Sequence, residues 1–185
     1  FYDGPIEAIE GEVNAWPMNE AFIDYVESKA DAGLINSKDA VDVAALTAAN
    51  QKSDEADVTT GWHAIEFLLW GQDLSPDGPA TDYNAGNGNN DRRREFLKAV
   101  TTKLVADLGV LEAAWATSTK GNYRETFEKL EQREALGRIV NGMAVLAGFE
   151  FMSERLGVAL DSGDQEDEHS CFSDTTKQDF VQDLE

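Results

Sequence analysis

Cysteine is almost missing from this chain. Cys171 stands alone among 185 residues, which excludes an internal disulfide framework. Histidine is nearly as scarce, with only His63 and His169. Two imidazoles so far apart in sequence cannot form the His-Glu-x-x-His helix of zinc proteases, which needs both rings four residues apart. Basic residues are few: 15 Lys and Arg face 36 Asp and Glu, a formal charge of −21. Such a surface repels nucleic-acid phosphates and anionic lipid and attracts cations. A solvated acidic surface of the kind suited to a salty habitat is the plain structural explanation.

Other absences narrow the fold. Alternating apolar and polar runs are lacking and β-branched residues are scattered, so strands are not expected. The glycines at 86 and 88 neither follow a strand nor lead into Lys-Ser/Thr, which excludes a phosphate loop. The longest apolar runs are interrupted by charge or glycine, so no membrane span is expected in this chain. There is no internal repeat. The chain opens on Phe1-Tyr2-Asp3-Gly4 without an initiator Met and closes on Asp183-Leu184-Glu185. Both ends read as cut from a longer protein.

The residues that are present point to helices. A hydrophobic share of 42% supports one domain, residues 1–185, with a sizeable core. Residues 1–17 read as irregular. Pro17 suits the first turn of a helix running to Glu27, and Ser37 the cap of another over 38–50. Thr59 or Thr60 is the expected cap of a helix that Gly71 stops. Residues 72–90, rich in Pro, Gly and Asn, read as a long surface loop. Asp91 is the expected cap of a helix to Ala116, with Leu97, Val100, Leu104, Leu108, Leu111 and Trp115 on one face. Arg92, Arg93 and Arg94 sit in its first turn, where the helix dipole disfavours cations, so a carboxylate partner elsewhere is expected. A last helix runs from Tyr123 to Leu160, with a break near Gly137. Its glycines, at 137, 142, 148 and 157, each cost up to about 1 kcal/mol against Ala, which implies close helix contacts at some of them. The fold class is all-α, a helical bundle.

The chemistry centres on Gly61–Asp73. The stretch is apolar at Ala64, Ile65, Phe67, Leu68, Leu69 and Trp70, yet carries His63 and Glu66, which share a helix face one turn apart. A carboxylate buried there must be paired, protonated or bound to a cation. Two further places hold ligand-type side chains. Glu150 and Glu154 fall on one stripe with Met143, Ala147, Gly157 and Asp161, and repel each other unless a cation or Arg intervenes. The plain alternative is an acidic stripe facing solvent. Glu166-x-x-His169 has the spacing with which di-iron helical bundles place two ligands. Each histidine of the chain thus has a Glu three residues away. The pattern points to a metal site of His63, Glu66, Glu150, Glu154, Glu166 and His169. Mixed imidazole and carboxylate donors suit iron, zinc or manganese, and a carboxylate-rich set suits ferric iron. The alternative is a core histidine hydrogen-bonded to its neighbour. Cys171 and His169, two residues apart, do not face each other on a helix, which argues against nucleophilic catalysis.

Several ordered motifs carry a resemblance: Asn14-Ala-Trp-Pro17, Thr60-Gly-Trp-His-Ala-Ile-Glu-Phe-Leu-Leu-Trp-Gly-Gln-Asp73, Asp91-Arg-Arg-Arg94, Glu150 with Glu154-Arg155, and the segment from Ala159 to Asp174. Together they resemble the imelysin family, closest to its iron-regulated, exported branch, over nearly the whole chain. The resemblance implies one half, plus linking segments, of an all-helical protein of two bundle-like halves. It implies a periplasmic, cell-surface or outer-membrane-associated location and a role in iron acquisition. It carries the Gly-x-His-x-x-Glu motif onto Gly61, His63 and Glu66 as metal-site residues, with one or two iron ions expected. It also implies that the remaining segments of the same processed protein accompany this chain, as a separate chain. The family is also grouped with metallopeptidases, so the alternative is a zinc-dependent peptidase with Glu66 or Glu150 as general base.

Overall fold

The computed structural model describes residues 4–72, 83–86 and 88–184, the side chains of 166, 183 and 184 excepted. Among the described residues every regular element is helical, and the one β-type pairing is an isolated bridge between Val26 and Lys29. The all-α expectation holds. The chain divides into two compact units, Phe1–Ala114 and Trp115–Glu185.

The first unit contains α1 (Glu10–Val13), α2 (Glu20–Ile23), α3 (Val43–Ala49), α4 (Trp62–Trp70) and nearly all of α5 (Asn90–Trp115). Its helices before α5 are shorter than the sequence suggests. The expected helix over 17–27 is only α2. Asn19 is extended, its N–H donating to the Ala56 carbonyl at 2.7 Å, and Asp24 is extended again. The expected helix over 38–50 starts instead at Val43. Asp42 is its cap, accepting from the Ala45 N–H at 2.9 Å, while Ser37 closes the turn before it by donating to the Leu34 carbonyl. Asn90 opens α5 and Asp91 lies in the first turn. The long surface loop expected over 72–90 falls largely outside the described residues. Of its described part, the Tyr83 hydroxyl donates to the Leu68 carbonyl and the Tyr83 carbonyl accepts from Arg94.

A buried ion pair ties α5 to α2. The Arg93 guanidinium donates to the Asp24 carboxylate through Nε at 2.6 Å and to Asn90 Oδ1 at 2.8 Å, and both charged side chains are under a tenth exposed. Arg92 donates to the carbonyls of Leu34, Ile35 and Asp39, and Arg94 pairs with Asp91. The expected carboxylate partner therefore exists for two of the three arginines. Apolar burial supplies the rest of the packing: Ile6 and Val13 meet Leu104 of α5, flanked by Ile9, Ile65, Leu108 and Leu111.

The second unit contains α6 (Tyr123–Glu128), the long helix α7 (Gln132–Ser162) and α8 (Thr176–Leu184). Asn122 caps α6, and the rings of Trp115, Tyr123 and Phe127 cluster with Trp115 centroid distances of 5.1 and 5.7 Å. The helical break lies at Lys129–Glu131, where Glu131 is non-helical, and not at Gly137. From Leu146 to Gly157 the helix winds as a π-helix, a form otherwise seen mostly as single-turn bulges. A Cβ on Gly137, Gly142 or Gly148 would meet nothing within 4 Å among the described residues. Close helix contact, the sequence-based reason for some of these glycines, is met at none of the three within the second unit. Gly157 alone is crowded, and by Met152 of its own π-helical turn.

The glycines do not interrupt α7, so its apolar run is continuous after all. The helix spans 31 residues, contains an 18-residue window of mean hydropathy 1.3, and is long and apolar enough to cross a membrane by length and composition. That corrects the expectation of no such stretch. Leu136, Met143, Phe149, Met152 and Leu160 are all more than half exposed.

Candidate metal centre

The motif helix α4 is seated by a single asparagine. Asn50, just past α3, accepts through Oδ1 from the N–H groups of Thr59 and Thr60, at 2.8 and 3.2 Å, and donates through Nδ2 to the Gly11 carbonyl at 2.9 Å. The buried Thr59 hydroxyl donates to the Leu46 carbonyl at 2.7 Å. Neither threonine caps α4. The N-cap is Gly61, at φ +90°, and a Cβ there would lie 2.5 Å from the Val13 carbonyl oxygen. Glycine is required twice over, by the left-handed backbone and by the α1 carbonyl against it. Gly71 ends the helix as expected, at φ +68°, with its N–H on the Phe67 carbonyl.

Although the stretch is apolar nearly all round, α4 is buried on one face. His63, Ala64, Phe67 and Leu68 point inward, while Trp62, Leu69 and Trp70 are 41–49% exposed. Glu66 lies at the border, four residues from Trp62 and four from Trp70. Its carboxylate reaches back to the imidazole: Oε2 is 3.6 Å from His63 Nδ1, with the side chains 15% and 6% exposed. The indole of Trp16 lies against the imidazole, ring centroids 4.8 Å apart and planes tilted by 53°. Trp16 belongs to Asn14-Ala-Trp-Pro17, a stretch legible in the sequence as a motif but not as a neighbour of His63.

The donor pair fits a small cation. Metal–nitrogen and metal–oxygen bonds of about 2.0–2.2 Å laid end to end span roughly 4.2 Å, so an ion can touch both atoms across 3.6 Å. Two protein ligands leave further coordination positions to be filled. Among the described residues no group of three or more His, Cys, Asp or Glu side chains is arranged to hold a metal ion.

The other four sequence-predicted ligands belong to the second unit. Glu150 is half-buried and Glu154 exposed, both on the π-helical part of α7. Arg155, next to Glu154 in sequence, lies over the Phe151 ring at 5.2 Å. Glu166 and His169 are not on one α-helix, as their spacing had suggested. Gly163 ends α7 at φ +66°, residues 165–167 form a single 3-10 turn, and His169 lies in the turn that follows, half-buried. The Glu166 side chain lies outside the described residues. Ser170 next to His169 is tied down, donating its N–H to Thr176 Oγ1 and its hydroxyl to the Asp179 carboxylate, while Cys171 is buried.

No curated protein matches the sequence significantly. The imelysin family profile, Peptidase M75, matches residues 1–185, the full length over which the motifs were read. The chain belongs to the imelysin family.

Proposed function

We propose that this imelysin is an exported iron-binding protein of the iron-regulated branch, serving iron acquisition at the periplasm or cell surface. Its centre is His63 and Glu66, and it holds one or two ferric ions. The observation that carries the reading is the imidazole–carboxylate pair itself: a Glu 15% exposed beside a buried His, 3.6 Å apart on one helix face. A bound ferric ion supplies a hard positive charge that takes both donors and relieves the cost of burying the carboxylate. The protein's own contribution is placement. Asn50 and Gly61 fix where α4 starts, and the i, i+3 spacing turns both donors to one side. The charge of −21 favours cation capture over any anionic ligand.

The test is metal content after purification without chelator, followed by titration with ferric nitrilotriacetate. The native chain takes up iron, and His63→Ala and Glu66→Gln each weaken binding by about 10- to 100-fold or more, the range for disturbed metal ligation. A Glu150→Gln/Glu154→Gln variant and a Glu166→Gln/His169→Ala variant read whether those residues act as ligands. A chain that is iron-free and takes none up overturns the reading. Zinc uptake with peptide cleavage that is lost in His63→Ala assigns the zinc peptidase instead.

A further inference from the structure

We infer that Trp16 is the access-controlling residue of the His63 centre, the side chain that separates the imidazole from solvent and that an incoming or departing ion must pass. Its role as a metal gate rests on the iron-binding reading above; its role as a shield does not. The first observation is a difference in exposure across one ring contact. His63 is 5% exposed and Trp16 42%, with their centroids 4.8 Å apart, so the indole has one side on the imidazole and another in water. The second is where the shield comes from. The other inward residues of α4, Ala64, Phe67 and Leu68, are almost wholly buried, so the inner face of the helix offers no opening. Trp16 is instead on the loop between α1 and α2, and loop segments open locally at lower free energy than packed helices. The third is chemical. A large apolar ring against the imidazole keeps water off it and strengthens its attraction to a nearby carboxylate, while an aromatic ring tolerates a cation beside it.

Carbethoxylation of histidine by diethyl pyrocarbonate, followed by peptide mass mapping, tests the shield on the full chain without any metal. His169, the other histidine of the chain, is the internal reference. In Trp16→Ala the rate at His63 rises about tenfold, the change that corresponds to losing one aromatic contact, and the rate at His169 stays as it was. An unchanged rate at His63, or an equal rise at both histidines, overturns the inference. Should Trp16→Ala fail to fold, as judged by circular dichroism, Trp16→Phe decides: its smaller ring gives a severalfold rise at His63, and a native rate overturns. On iron-loaded protein, Trp16→Ala also releases Fe(III) to a competing chelator several times faster than the native chain, and equal release overturns the gate. A chain that never loads iron sinks the iron-binding reading, while the carbethoxylation ratio still decides whether Trp16 shields His63.

Discussion

At the scale of single residues, two adjacent threonines show how little of a site's support is visible in residue type. Thr59 and Thr60 are both essentially fully buried. The Thr59 hydroxyl donates to the Leu46 carbonyl, whereas the Thr60 hydroxyl has no hydrogen-bond partner among the described residues. Replacing each by the isosteric Val should therefore have opposite signs. Thr59→Val removes one of the two donors on the Leu46 carbonyl, which keeps the Asn50 N–H, and costs about 0.5–1.5 kcal/mol, while Thr60→Val removes an unsatisfied hydroxyl and gains roughly 1 kcal/mol. Urea midpoints of the two variants check this, and shifts in the same direction would refute it. Lys103 offers a second test. Burial disfavours its charged form, but hydrogen bonds from Nζ to Asp107 and Glu12, and the charges of those carboxylates, outweigh burial and raise its pKa above the usual 10.5. A raised pKa in the folded state means that its stabilisation is fully present below pH 10.5 and fades as pH climbs through the raised value. Thermal unfolding followed from pH 9 to 12 should show a loss of stability above about pH 10.5 that is smaller in Lys103→Met.

At the scale of elements, glycine has two unrelated uses here, and a matched pair of substitutions separates them. Gly61→Ala forces a Cβ into the Val13 carbonyl at a left-handed position and should cost about 1–3 kcal/mol or more. Gly137→Ala adds a methyl to an open helical position and should stabilise by about 0.5–1 kcal/mol. Far-ultraviolet circular dichroism melts would show the first variant melting below the native chain and the second above it. The same contrast explains what the sequence revealed and what it hid. Helix periodicity made α5 legible to within a residue or so at each end, and Gly71 and the His63–Glu66 face were legible from local rules. The extent of α2 was not, because its ends are set by distant partners: Ala56 holds Asn19, and Arg93 holds Asp24; α3 begins later than expected because Asp42, and not Ser37, is its cap. Trp16 over His63 was invisible for the same reason as the ends of α2, being a contact across 47 positions that no spacing rule encodes. The π-helical winding of α7 left no trace in the residue pattern that an α-helical stripe would not also leave.

At the scale of the whole molecule, charge dominates. With −21 formal charges on 185 residues, self-repulsion works against the compact state. Added salt shortens the reach of that repulsion, from a Debye length of about 30 Å at 0.01 M to about 3 Å at 1 M, while the nearly buried Arg93–Asp24 pair is screened far less. The melting temperature should therefore rise with sodium chloride over that range, measured by differential scanning fluorimetry at constant pH. A flat or falling curve would mean that exposed ion pairs, such as Arg124–Glu128 and Arg138–Glu134, outweigh the net charge.

The seat of α4 has a practical corollary. A nine-residue helix is too short to persist in water by itself, and this one draws its starting point from Val13, Asn50 and Leu46. The Gly-x-His-x-x-Glu signature is therefore not a portable cassette. A synthetic peptide of residues 59–72, or the same letters spliced into another helical scaffold, carries the donors without the geometry that sets them 3.6 Å apart. What would have to be transplanted is a discontinuous unit, three stretches of chain around residues 11–16, 46–50 and 59–71 that are assembled only when the first unit folds.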